Sequence, residues 1–231
     1  MVRKALWVVL LGFAVLFVGS ITPGFAEEKV IINGIDANFP PFAFVDKTGK
    51  PDGFDVAVVD LIAKEIGCKV EHKPMDWDGI IPSLNARKID MIASGMSITD
   101  ARKEQVNFSI PYWDIIQVLV AKADPGITPE DAMKEGKKIG VQRGTTEAKW
   151  IEENLVKKQG KKFELVYYDS APLAVEDVIN GRIVAAAMDD APAKDAVSKK
   201  KGLKIIGGFG MPDEKFGYAF RKEDTELLNK F

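Results

Sequence analysis

Ile115-Ile116-Gln117-Val118-Leu119-Val120-Ala121 is an apolar run interrupted by a single amide. It lacks the every-second-residue alternation of a half-exposed strand, so it predicts a strand buried on both faces. What flanks this run decides the fold. Before it, strands over Lys29–Ile35, Lys69–Lys73 and Met91–Ala93 alternate with helices over Val56–Ile66, Ile80–Ala86 and Asp100–Gln105. After it the alternation restarts. Helices over Ile127–Lys134, Thr146–Leu155, Ala171–Asn180 and Ala191–Ser198 are interleaved with strands over Lys138–Val141, Glu164–Tyr168, Ile183–Met188 and Leu203–Ile206. A strand over Phe216–Phe220 and a helix opening at Asp224 complete the series. Local chemistry marks the ends: Gly67 closes the first long helix, Thr99 and Thr128 are N-caps, and Pro40-Pro41 stops the first strand. Repeated strand–helix–strand units mean an α/β protein with mostly parallel sheets.

The composition narrows the function. The 231 residues carry 32 basic and 34 acidic side chains, a net charge of −2, so the basic stripe of a nucleic-acid binder is not expected. Apolar residues at 46% supply a core and exclude a disordered chain. The single cysteine, Cys68, excludes an internal disulfide and a cysteine-based zinc site. The single histidine, His72, excludes any multi-histidine metal centre. Both are read as structural.

The first residues belong to export rather than to the fold. Arg3 and Lys4 precede an apolar run, Ala5–Val18, then a breaker-containing stretch and Gly24-Phe25-Ala26. That is the grammar of a secretory signal peptide over 1–26, too short for a comfortable membrane span. A periplasmic protein is expected, with no stable membrane insertion after cleavage.

Three loops carry candidate chemistry. Ser94-Gly95-Met96-Ser97-Ile98-Thr99 leaves a strand and enters a helix, offering free N–H groups to an anion, and Arg102 lies one turn further on. Gln142-Arg143-Gly144-Thr145-Thr146-Glu147 repeats the strand–loop–helix arrangement with hydroxyls. Met188-Asp189-Asp190 ends an alanine-rich strand with a carboxylate suited to a cation. Each alone reads equally as a helix cap. Two anion sites and one carboxylate together are what a zwitterion requires.

Longer stretches then carry a resemblance. They are Asp36-Ala37-Asn38-Phe39-Pro40-Pro41-Phe42, Gly53-Phe54-Asp55-Val56, the segment from Pro74 to Leu84, Gly95 through Arg102, Phe108-Ser109-Ile110-Pro111-Tyr112, Gly144-Thr145-Thr146 and Ala187-Met188-Asp189. In order and spacing, Val30 to Asp224 resembles the family-3 extracellular solute-binding proteins, amino-acid receptors of ABC importers. The resemblance implies an α/β, two-lobed periplasmic-binding-protein fold of type II: two mostly parallel sheets with flanking helices, joined by a two-strand hinge. Lobe 1 is expected over 27–115 and 214–231, and lobe 2 over 116–213. It also implies the site. Arg102 clamps the ligand α-carboxylate, with Ser97 and Thr146 as further donors. Asp189 and the Gly95 carbonyl take the α-ammonium, and Phe39 and Trp77 sandwich the side chain. Asp36, Gln142 and Thr145 complete the set. No catalytic residue, metal or cofactor is expected. The partners are a small amino acid and the membrane permease of an importer, with no nucleic acid, and the protein is expected to be a monomer. Family members continue through further C-terminal helix, so the chain is expected to be truncated and to expose an apolar patch on lobe 1.

Two questions stay open at this level. Cyclohexadienyl dehydratases share the fold and place a glutamate just after the Gly-Thr loop, where Glu147 stands, so a general-acid role is the alternative. Asp36, Gln142 and Glu147 would make the distal cleft acidic and polar, favouring arginine, lysine, ornithine or glutamine over acidic ligands.

Overall fold

The computed structural model describes residues 30–231; the expected export signal lies outside the described residues. Two five-stranded sheets organise the chain. The first has the order Lys69–Pro74, Val30–Ile35, Met91–Ile92, Ala219–Phe220, Asn107–Phe108. The second has the order Glu164–Tyr168, Lys138–Gln142, Ala185–Asp189, Gln117–Lys122, Leu203–Gly208. In each, four strands share one direction and one runs against them: Ala219–Phe220 in the first and Gln117–Lys122 in the second. A two-stranded antiparallel ribbon, Trp113–Ile115 with Glu214–Phe216, lies where the chain passes between the sheets in both directions.

The apolar run is two strands rather than one. It breaks at Ile116, which is half-exposed and whose carbonyl accepts the N–H of Asp190 at 2.9 Å. The part before the break belongs to the ribbon and the part after it to the second sheet. In that sheet Leu119 and Ala121 pack into one core cluster while Val118 and Val120 pack into another on the opposite face. Helices cover both faces, so the strand shows no polar alternation. Ala185 and Ala187 face one cluster, Ala186 and Met188 the other, and their small side chains let the layers approach closely.

Two further readings are corrected, and one small sheet was not anticipated. The final strand is interrupted at Gly217-Tyr218, because Glu214–Phe216 pairs in the ribbon and Ala219–Phe220 in the first sheet. Asn38–Phe39 forms a short strand of its own against Ala43–Val45, continued by Pro51–Asp52. The helix opening at Thr146 is α-helical only to Trp150 and continues as a π-helix over Ile151–Lys158. There the Asn154 side chain donates to the Trp150 carbonyl at 3.1 Å, competing for the acceptor an α-helical amide would use.

The capping chemistry agrees with the sequence. Gly67 ends Phe54–Ile66 in the left-handed conformation at φ 68°. Thr99 Oγ1 accepts the N–H of Arg102, and Thr128 and Asp131 form a reciprocal capping box. Gly140 shows how tightly the second unit is packed. A Cβ there would lie 2.5 Å from Ile183 Cδ1, 2.8 Å from Tyr168 Cε2 and 3.1 Å from Ala174 Cβ. Gly140→Ala should therefore lower stability by about 1–3 kcal/mol through overpacking. Urea unfolding checks it, and a variant as stable as the parent would show that the sheet yields at this point.

Candidate functional site

Five segments meet at the C-terminal ends of the parallel strands, where open α/β sheets place their ligands. Asp36 follows Val30–Ile35, Trp77 follows Lys69–Pro74, and the Ser94–Ser97 loop follows Met91–Ile92. From the other sheet come Gln142 with the loop after it, and Asp189. They surround a cavity of about 300 Å³. All ten residues singled out from the sequence line it, as do Glu147 and Ser94. His72 and Cys68 do not. His72 instead bridges Asn33 Nδ2 and Asp60 Oδ1 at 3.0 and 2.9 Å.

The side chains fall into three groups. Arg102 is aimed by backbone oxygens: Nη1 donates to the Ser97 carbonyl at 3.0 Å, and Nη2 to the Gly144 carbonyl of the opposite sheet unit at 3.2 Å. Its guanidinium carbon sits 5.5 Å from the Trp77 ring centroid. Burial pulls its pKa down, opposed by the charges of Glu214, Glu147 and Asp189, in that order.

The second group is acidic. Asp36 is buried, its Oδ1 accepting the Asn38 N–H at 2.9 Å and its Oδ2 accepting Gln142 Nε2 at 2.7 Å across the cleft. Burial raises its pKa, and the hydrogen bonds from Gln142 and Asn38 oppose the rise. Glu147 is pushed up to about 7 by burial, and Asp189 is pushed well up by burial and by the neighbouring Glu147. Three carboxylates thus line a cavity with one guanidinium.

The third group shapes the cavity. Gly95 adopts φ +60°, and a Cβ on it would lie 2.3 Å from Phe39 Cε1, so the ring rests directly on its backbone. Phe39 also stacks on Phe42 at 5.7 Å and meets Phe216 edge-on at 6.3 Å. Trp77 is buried in the core cluster of the first sheet. Core packing and lining the cavity therefore coexist in both aromatics. Behind Gly95, its N–H and the Tyr112 hydroxyl both donate to Asp55 Oδ2, at 2.7 and 2.9 Å. Asp55 is fully buried, and burial pushes its pKa up to about 7.

Two threonines differ from their expected use. Thr145 Oγ1 donates to the Gln142 carbonyl at 2.8 Å and caps the following helix, accepting the Ala148 N–H at 3.4 Å. Thr146 Oγ1 donates to Glu214 Oε2 at 2.7 Å. A hydroxyl has one proton, so in this arrangement neither O–H is free to donate to a ligand. Sequence reasoning missed Ser94, which accepts the Asp36 N–H at 2.9 Å, and it missed Gln117 and Glu214. Gln117 lay hidden inside the apolar run, and Glu214 in a turn-like Pro212-Asp213-Glu214-Lys215 stretch. Among the described residues, no group of three or more His, Cys, Asp or Glu side chains is placed to hold a metal ion. No helix among them is long and apolar enough to cross a membrane.

Comparison with known proteins adds a second line of observation. The family model for bacterial extracellular solute-binding proteins, family 3, matches residues 31–231. The L-arginine-binding protein of Pseudomonas aeruginosa is 35% identical over 230 residues, 96% of this chain and 87% of that protein. The L-cystine-binding protein TcyJ of Escherichia coli is 35% identical over 204 residues, 87% of this chain and 74% of that protein. Among solved structures, a point variant of arginine-bound ArgBP from T. maritima superposes with a TM-score of 0.78 at 38% identity. That superposition covers 87% of this chain and 92% of that one.

Proposed function

Because this chain belongs to the bacterial extracellular solute-binding proteins of family 3, we propose that it captures a free amino acid in the periplasm and delivers it to the permease of an ABC importer. Residues 1–26 direct export. Residues 27–115 and 214–231 form lobe 1, and 116–213 form lobe 2, closing over the ligand about the two-strand ribbon as a monomer. Arg102 pairs with the α-carboxylate, helped by Ser97 and the Thr146 backbone. Asp189 and the Gly95 carbonyl take the α-ammonium, and Phe39 and Trp77 flank the side chain. Each buried charge then has a partner, as desolvation requires.

The observation that carries the choice of ligand is the charge balance. Asp36, Glu147 and Asp189 line the cavity with Arg102 as the one guanidinium. A zwitterion consumes one charge of each sign and leaves two carboxylates. A cationic side chain reaching Asp36 and Glu147 uses that remainder, so arginine, lysine and ornithine are favoured, with glutamine as the neutral, hydrogen-bonding alternative. The relatives reported above are binding proteins, which supports capture over dehydration. Glu147, pushed up to about 7 by burial in the ligand-free protein, is then held ionised by the ligand's side-chain cation rather than used as a general acid.

A thermal-shift panel tests this, because a compound that binds only the folded form raises the midpoint. Arginine, lysine, ornithine and glutamine should stabilise, while aspartate and glutamate should not. A larger shift with an acidic amino acid, or turnover of added prephenate, would sink the reading.

A further inference from the structure

Glu214 does not line the cavity, yet its charge is the largest of those opposing the desolvation of Arg102. It sits on the returning strand of the ribbon, directly opposite Ile115. Its Oε2 accepts two hydrogen bonds from the second sheet unit, one from Thr146 Oγ1 at 2.7 Å and one from Gln117 Nε2 at 3.3 Å. The same Gln117 nitrogen donates to Asp189 Oδ1 at 2.9 Å. Gln117 is buried, and one residue, Ile116, separates it from Ile115 on the outgoing strand. Its NH₂ end faces both carboxylates, the orientation that ionised carboxylates, which only accept, require. Its Oε1 stays buried without a hydrogen-bond partner among the described residues, so the bridge is kept at the expense of one unmade bond.

We infer that Glu214 is a positioning residue for ligand capture, aiming Thr146 directly and Asp189 through Gln117. The inference rests on the amino-acid-binding reading above and adds to it a route from the ribbon to the site. Holding the Thr146 proton fixes that side chain at the cavity wall. Holding Asp189 Oδ1 leaves Oδ2 for a ligand ammonium. Both groups that the second unit offers to a zwitterion's head are thus anchored on the segments where the chain crosses between units. Glu214 does not line the cavity, so besides the field its charge exerts on Arg102, its contacts reach the site through Thr146 and Gln117.

A mutant cycle read by calorimetry, with L-arginine, L-lysine and L-glutamine as probes, tests this. The wild type is titrated first; binding of none of the three would sink the amino-acid reading itself, independently of any variant. With the probe that binds tightest, Glu214→Ala should weaken binding about tenfold or more, the scale of a lost charge-assisted hydrogen bond. Glu214→Gln should stay within about threefold of wild type, because an amide oxygen still accepts from Thr146 and Gln117. In a Thr146→Val/Gln117→Leu background, Glu214→Ala should cost less than about threefold further, since the groups it acts through are gone. Wild-type affinity in Glu214→Ala, or the same loss in both backgrounds, would overturn the assignment. Melting curves verify that each variant is folded. If Glu214→Ala is not, Gln117→Leu and Gln117→Leu/Asp189→Asn replace it: Gln117→Leu must weaken binding alone and add little once Asp189 is replaced, and any other result counts against the relay.

Discussion

Replacing Arg102 by alanine should weaken amino-acid binding by about 2–5 kcal/mol, the range seen when one partner of a buried charge pair is removed. The size follows from the surroundings. With the guanidinium gone, a ligand carboxylate would enter a cavity already lined by Asp36, Glu147 and Asp189 and would meet no opposite charge there. Arg102→Lys should fail nearly as badly. The arginine is held by two carbonyls, Ser97 at 3.0 Å and Gly144 at 3.2 Å, and lies over the Trp77 ring. A lysine ammonium is a point charge that reproduces neither the planar stacking nor the two-pronged contact. Calorimetry on the two variants decides the matter, and near-normal affinity in both would remove Arg102 from the site.

The ligand-free protein should lose stability as the pH rises from about 4 to about 7, and Asp55 should account for much of the loss. Its carboxyl has an ordinary pKa of 3.8 and is pushed up to about 7 in the fold by burial. Between those values the folded chain holds a proton that the unfolded chain has released, so unfolding is progressively favoured as the pH climbs through the window. The window corresponds to roughly 4 kcal/mol for this one group. Asp55→Asn keeps an acceptor for the Gly95 N–H and the Tyr112 hydroxyl but cannot ionise. Asp36, Glu147 and Asp189 titrate upward in both proteins and cancel in the comparison. Urea unfolding at pH 4 and pH 7.5 should therefore show Asp55→Asn gaining several kcal/mol on the wild type across the interval. Parallel pH profiles would mean that Asp55 is ionised in the native state throughout.

Most of the residues lining the cavity were legible in the sequence because they lie at or just beyond the ends of strands and carry their own local signals. Gly95 and Gly144 mark loops with positive φ, threonines mark helix starts, and Asp189 ends an apolar strand. Gln117 and Glu214 carry no such signal. They become neighbours only when the ribbon pairs residues far apart in the chain, and no periodicity announces that. The strands Met91–Ile92, Asn107–Phe108 and Ala219–Phe220 are two residues each, too short for an alternation to be counted. The break at Ile116 was missed for a related reason. Both sides of it are apolar, and only the change of pairing partner separates them.

The antiparallel strand in the first sheet has a consequence for the order in which the chain can assemble. Ala219–Phe220 sits between Met91–Ile92 and Asn107–Phe108 and is the element that joins them, pairing Ala219 with both Ile92 and Phe108. During synthesis or passage through a membrane pore, every strand of the second sheet emerges before it. The second sheet is contiguous and can be completed while the first still lacks the strand that ties its edge to its body. Sheet closure in the first unit is thus a contact of long sequence separation, the kind that forms late and slowly. Until that strand is delivered, Lys69–Pro74, Val30–Ile35 and Met91–Ile92 can pair with one another, while Asn107–Phe108 still lacks its neighbour in the sheet.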